Sequence, residues 1–248
     1  MPEGPSILLM KENLVQFSGQ KVISVKGNSK SEIHILNGQL LREIRTFGKQ
    51  TYLIFNEPVV RIHLMMFGSY SVNEQTKPDK SVRLCLKFEG GAIYFYNCSV
   101  KMVEKKFLDE IPWEADVLSD KWSSKSAKEK LKQLPEVMVC DALLDQDIFA
   151  GVGNIIKNEV LFRIGVHPES LVGVLSAYKL NKLVEEARNY SFDFLNWKRE
   201  YVLKKHWQVH TKKTCPKCGG KIIRKNTGFR NRRSFYCENH QKLYGKNG

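Results

Sequence analysis

The apolar positions of this chain change period twice. Over residues 5–17 (PSILLMKENLVQF) they crowd into a pattern that predicts one short helix. From about residue 20 to 107 they fall into short alternating or β-rich runs: KVISV (21–25), TYLIF (51–55), VVRIHLMM (59–66), VRLCLKF (82–88) and AIYFY (92–96). Turn residues separate these runs, among them Asn37-Gly38 and Glu89-Gly90-Gly91, and short strands at this spacing predict an antiparallel sandwich or barrel. The polar, proline-marked stretch IPWEADVLSD (111–120) is a boundary. Beyond it the period is helical: SSKSAKEKLKQL, then VCDALLDQD, a glycine-punctuated loop, and NIIKNEVLFRIG, which His167-Pro168 ends. A long amphipathic stretch follows from Leu171 to about Asn196, and the last forty residues are poor in apolar runs and dense in cysteine and basic residues. The predicted class is α+β and multidomain, with an N-terminal helix and antiparallel β-sandwich over 1–115, a helical domain over 116–208 and a small module over 209–248.

Composition narrows the partners. A chain of 248 residues with 42% hydrophobic content can bury the core of two domains. Its formal charge of +14 and pI near 9.5 favour a polyanion, either nucleic acid or an anionic membrane. No apolar run approaches the ~20 residues that span a bilayer, and the N-terminus lacks the basic-then-apolar pattern of a signal peptide. The expectation is a soluble, intracellular monomer in a reducing compartment, cytoplasmic or nucleoid-associated, without a membrane partner. The charge is also concentrated: thirteen Lys/Arg and one acid, Glu200, lie between Lys198 and Arg233. A solvated helix face would carry interspersed acids, so this run points to phosphate contact.

Within that run, Cys215-Pro-Lys-Cys218 and Cys237-Glu-Asn-His240 form C-x2-C-x18-C-x2-H. Two close pairs offer thiolate and imidazole at four tetrahedral corners, the donor set of one structural Zn²⁺, with disulfides as the alternative in an oxidising compartment. Gly219-Gly220 permits the tight turn that aims the first two sulfurs together. Between the pairs, TGFRNRRSFYC (227–237) reads as a two-stranded ribbon whose tip carries Arg230, Arg232 and Arg233. Arginines on a rigid ribbon can grip a phosphate bidentately.

Three further segments carry candidate chemistry. Removal of Met1 would leave Pro2 as a terminal secondary amine, which titrates near ~8 and attacks carbon electrophiles to form an iminium. Glu3 places a carboxyl group beside it to move protons. In AGVGNIIKNEVLFRIG (150–165), two glycines and Asn154 precede a helix, where outward N–H groups bind phosphate; Asn154 can equally act as a cap. HLMMFG places Met65, Met66 and Phe67 either in a loop after a strand, as apolar wedges for unstacked DNA, or in a continuing core strand.

Taken in order, MPEGP, the GK of TFGKQTYLIF, HLMMFGSY, LLDQDIFAGVGNIIKNEVLFRIGVHP and a finger ending in CENHQ resemble the formamidopyrimidine-DNA glycosylase/endonuclease VIII family of base-excision repair enzymes, over nearly the whole chain. The resemblance implies a helix-two-turn-helix domain followed by a zinc-finger β-hairpin. It also implies a bifunctional glycosylase and AP lyase acting on double-stranded DNA with damaged bases or abasic sites. By the resemblance, Pro2 is the nucleophile that displaces the base and forms a Schiff base with C1′, and Glu3 is the acid/base that protonates the opening sugar. Lys49 binds phosphate and assists β-elimination. Arg232, five residues before Cys237, assists δ-elimination, with Arg233 next should the register differ. Asn154 binds the backbone near the lesion. Met65, Met66 and Phe67 fill the gap left by the flipped base, Met66 foremost, and His63 and Lys157 complete the DNA-contacting set.

The chain departs from the family pattern in three places. Ser6 stands where a glutamate is usual, and His240 replaces the fourth cysteine. YNCSVKMVE (96–104) lacks the arginine–phenylalanine pair of the 8-oxoguanine branch. With the MPEGP start, that loss favours oxidised pyrimidines, whereas the methionine-rich wedge resembles the purine branch. A damage-binding protein without catalysis is a further alternative, prompted by Ser6.

Overall fold

Ile7, Met10 and Leu14 recur at the three- and four-residue spacing of one helical face, and helix α1 (Gly4–Leu14) buries that face, with Pro5 in its first turn. A single 3₁₀ turn (Val15–Phe17) extends it and stacks Phe17 on Phe88 with ring centroids 5.0 Å apart. The computed structural model describes residues 2–245, which divide into two units, one ending at Ile111 and the other beginning at Pro112.

In the first unit, eight strands follow α1: β1 (Ser24–Lys26), β2 (Glu43–Phe47), β3 (Gln50–Ile54), β4 (Val59–His63), β5 (Ser69–Val72), β6 (Val82–Phe88), β7 (Gly91–Tyr96) and β8 (Ser99–Val103). They form two antiparallel four-stranded sheets, ordered β1-β6-β7-β5 and β2-β3-β4-β8. Inward residues of both, among them Ile44, Leu53, Val60, Ile62, Leu84, Leu86, Ile93 and Phe95, share one core with Ile7, Met10 and Leu14. This is the expected antiparallel sandwich. The run KVISV is less regular than its pattern predicts. Val22 leaves the sheet to pair with residues 38 and 39, so only Ser24–Lys26 runs along β6.

The second unit contains α2 (Ser124–Lys132), α3 (Val139–Ala142), α4 (Asn154–Arg163), α5 (Ala177–Arg199) and a hairpin of β9 (Ile223–Thr227) and β10 (Arg232–Tyr236). Serines 123 and 176 cap α2 and α5, their hydroxyls accepting from Ser126 N and Lys179 N. Two predicted helices are shorter than their patterns. VCDALLDQD stops being helical after Ala142, because Asp145 Oδ1 takes the Asp147 N–H and turns the chain. The stretch from Leu171 becomes helical only at Ala177, after a 3₁₀ turn whose Gly173 lies against Pro135. Val139, Leu143, Phe149, Ile156, Val160, Leu183 and Tyr190 form this unit's core. Among the described residues, no helix is long and apolar enough to cross a membrane.

Candidate nucleic-acid interface

Candidate residues of the first unit sit at the ends of its regular elements. Glu3 is the N-cap of α1 and fully buried; its carbonyl accepts the N–H of Ser6 (2.8 Å) and Ile7 (3.3 Å). Pro2, beside it, is half-buried, and Ser6 lies half-buried in the first helical turn. Met1 lies outside the described residues. Lys49 is the second residue of the two-residue turn between β2 and β3, where Phe47 pairs with Gln50. Gly48 makes that turn possible at φ +53°.

β4 ends at His63, and the chain folds tightly through Leu64–Gly68, closed by Gly68 N–H donating to Leu64 O at 2.8 Å. A side chain at position 68 would collide with the Leu64 backbone, which is why a glycine stands there. The turn turns Met65, Met66 and Phe67 outward, 54%, 55% and 79% exposed, so these residues form a loop and not a core strand. Met65 N–H donates to His63 Nδ1 at 3.0 Å, which assigns the ring hydrogen to Nε2. Burial, followed by the charges of Lys49 and Arg61, holds the His63 pKa below its ordinary value. His63 therefore presents a neutral ring with an Nε2–H donor.

In the second unit, Gln146 organises the glycine loop ahead of α4. Its side chain donates to Leu144 O and Val152 O and accepts from Gly151 N–H, and Gly151 adopts φ +98°. Gly153 is the N-cap and Asn154 the first helical residue; the Asn154 side-chain oxygen is buried and meets no donor among the described residues. The next turn departs from expectation. Lys157, placed among the DNA-contacting residues on sequence grounds, is fully buried, and its ammonium donates to Arg233 O (3.2 Å) and Ser234 Oγ (2.8 Å). Asn158 donates to His210 Nδ1 and accepts from Phe235 N–H. The Glu159 carboxylate accepts the backbone N–H groups of Gln208, Val209 and His210 at 2.8–3.1 Å. Burial pushes the Glu159 carboxyl up in pKa, against those three donors. Three consecutive polar residues thus hold the segment leading into the hairpin and the hairpin itself. Apolar neighbours on both sides, Ile155-Ile156 and Val160-Leu161-Phe162, are the available sequence signal that this helix is buried all round.

Cys215, Cys218 and Cys237 bring their sulfurs within 4.8 Å of one another, with Cys218 and Cys237 3.4 Å apart and no disulfide between them. Sulfurs sharing one tetrahedral zinc at ~2.3 Å lie about 3.8 Å apart, so the cluster fits that ion. His240, expected as the fourth ligand, is not a member of the cluster. Its ring packs on Phe162 (centroids 4.6 Å apart), and Nε2 lies 3.0 Å from the Phe162 carbonyl, which requires hydrogen on Nε2. Arg232 opens β10 opposite Thr227 and is half-buried; Arg233 is exposed and donates to Asn226 Oδ1.

Comparison with known proteins agrees with this layout. A family model for the formamidopyrimidine-DNA glycosylase N-terminal domain matches residues 1–101, and one for its H2TH domain matches residues 114–190. Human endonuclease 8-like 2 is 32% identical over 92% of this chain and 70% of that protein. Mouse endonuclease 8-like 3 is 33% identical over 85% of this chain and 36% of that protein. The chain spans about two-fifths of the length of the endonuclease 8-like 3 relatives, between 36% and 40%. Among solved structures, a viral DNA glycosylase has a TM-score of 0.83 at 22% identity, covering 97% of this chain and 100% of its own. Lactococcus lactis Fpg bound to DNA containing N7-benzyl-Fapy-dG has a TM-score of 0.85 at 21% identity with the same coverage, and these likenesses show the fold.

Proposed function

Because the chain belongs to the formamidopyrimidine-DNA glycosylase/endonuclease VIII family, we propose that it is a bifunctional DNA glycosylase and AP lyase that excises oxidised bases, pyrimidines foremost, from double-stranded DNA. The observation that carries the reading is Glu3, a carboxyl group fully buried at the start of α1 directly beside the half-buried Pro2. Burial of an acid next to a secondary amine has no packing benefit and is suited to proton transfer. Once Met1 is removed, the Pro2 nitrogen attacks C1′, and the base departs with the electron pair of the glycosidic bond. Glu3 protonates the sugar oxygen as the ring opens to the iminium. Loss of a C2′ proton then expels the 3′ phosphate, assisted by Lys49; δ-elimination expels the 5′ phosphate, assisted by Arg232. Hydrolysis frees Pro2. Met65, Met66 and Phe67 occupy the gap left by the flipped base, His63 supplies a neutral donor, and Asn154 contacts the backbone at the start of α4. Cys215, Cys218 and Cys237, with Nδ1 of His240, hold one structural Zn²⁺ that folds the finger.

Borohydride trapping tests the reading. Protein lacking Met1, as verified by mass spectrometry, is expected to form a covalent adduct with DNA containing an oxidised pyrimidine. Glu3→Gln should remove base excision, and Pro2→Gly should weaken trapping. Tight binding of lesion DNA with neither adduct nor nick would assign the fold to damage recognition without catalysis.

A further inference from the structure

The hairpin tip is held from beneath. β9 and β10 close through residues 228–231, between the paired Thr227 and Arg232. An isolated two-stranded ribbon is marginal in water, and loop tips are where such elements move. Below this tip lies Asp141 of α3, only 2% exposed. Its Oδ2 accepts the Phe229 N–H at 2.9 Å and its Oδ1 the Arg230 N–H at 3.1 Å. Gly228 has φ +69°, and a side chain there would run into the Asp141 carboxylate, so loop and acid fit one another closely. On the far side of Arg232, the buried Lys157 ammonium holds Arg233 O and Ser234 Oγ. Arg232 thus sits between two anchored dipeptides.

We propose that Asp141 is a positioning residue for Arg232: its buried carboxylate fixes the hairpin tip so that the guanidinium is presented for δ-elimination. The proposal rests on the lyase reading above. Two N–H donors need two acceptors, which a carboxylate supplies; an asparagine offers one and turns an NH₂ group toward the other donor. Displacement of a reacting group by ~1 Å can lower a rate on the order of a hundredfold, and release of the tip permits such a shift without touching Pro2 or Glu3.

The test compares wild type, Asp141→Asn, Asp141→Ala and Arg232→Ala on DNA with an abasic site, separating β from δ products. Both Asp141 variants should lower the δ rate on the order of ten- to a hundredfold, while borohydride trapping and β-elimination stay within about twofold. The Asp141→Ala/Arg232→Ala double variant should lose no more than Arg232→Ala alone. Hydrogen exchange provides a readout independent of activity. The Phe229 and Arg230 amides should exchange at least about tenfold faster in Asp141→Ala, with the Cys237 amide and the zinc content unchanged. Should Asp141→Ala lose zinc, Gly228→Ala, which disturbs the same contact from the other side, should show the same δ-specific loss. An unchanged δ rate beside an impaired Arg232→Ala, or unchanged exchange at the tip, overturns the proposal. If wild type forms no adduct, the lyase reading fails by itself. The exchange result, with the affinities of Asp141→Ala and Arg232→Ala for abasic-analogue DNA, then decides whether Asp141 positions the tip.

Discussion

Helices α1 and α4 each begin with residues expected to meet DNA, yet they are anchored by opposite means. α1 buries Ile7, Met10 and Leu14 against the sandwich core. α4 buries Lys157, Asn158 and Glu159 in succession and uses their polar atoms to hold residues 208–210 and strand β10. Apolar packing is non-directional and tolerates substitutions that conserve volume. A buried hydrogen-bonded charge specifies one geometry and is costly to leave half-paired. The contrast suits the work of each region. Under the proposed roles, the start of α1 needs only a firm base, whereas the hairpin arginine has to be set in register on a two-stranded ribbon.

Metal removal should separate the two regions most. Structural zinc sites contribute roughly 10–16 kcal/mol in finger peptides, and here the finger also supplies the partners of the α4 charges. Chelation should abolish amide protection across 213–241 and destabilise the helical domain with it, while the unit ending at Ile111 retains its own unfolding transition. Hydrogen exchange resolved by segment measures this; protection across α4 that survives chelation would mean that α4 does not depend on the finger.

Single substitutions sharpen the same contrast. Glu159→Ala removes the acceptor of three backbone N–H groups, one on the buried Val209 and two on the half-buried Gln208 and His210, and a buried group left unpaired costs about 1–3 kcal/mol. The expected loss is about 3 kcal/mol or more in denaturant unfolding. Met10→Leu in α1, fully buried but volume-conserving, should cost less than about 1.5 kcal/mol. A Glu159→Ala loss as small as that of Met10→Leu would remove the distinction.

The sequence made one of these arrangements easy to read and hid the other. α1, the strands β3, β4, β6 and β7 and the cysteine spacing follow from periodicity, turn chemistry and ligand geometry, which are local. The sequence leaves Met65–Phe67 open between loop and strand, and the structure turns them outward. The apolar neighbours of the polar run 157–159 signal a buried helix, but only the tertiary fold shows what the run holds. Lys157, expected on DNA, instead bonds Arg233 O and Ser234 Oγ of β10. Asp141 and Glu159 have backbone groups of distant segments as partners, and Gln146 has those of its own loop; backbone groups carry no side-chain signature. His240 has the spacing of a ligand, and its ring also packs on Phe162 with Nε2 at the Phe162 carbonyl, a contact that spacing alone does not encode.

The smallest effect is a pH dependence specific to the α4 side. Burial, followed by the charge of Lys157, pushes His210 down to about 4, and its Nδ1 already accepts from Asn158. The folded protein therefore keeps this ring neutral where an unfolded chain, titrating near ~6.5, takes up a proton. Between about pH 6.5 and 4 the unfolded state binds more protons, so the contribution is intact above the unfolded value and declines as pH falls through that window. From pH 8 to pH 5 the loss is roughly 2 kcal/mol. Glu159, raised by burial, bends stability the opposite way near the bottom of the range, so the measurement is the difference between wild type and His210→Gln in excess zinc. That difference should shrink steadily as pH falls from 6.5 to 5. A difference that stays flat would mean that His210 accepts a proton in the folded state, and that the polar grip of α4 is looser than its hydrogen bonds imply.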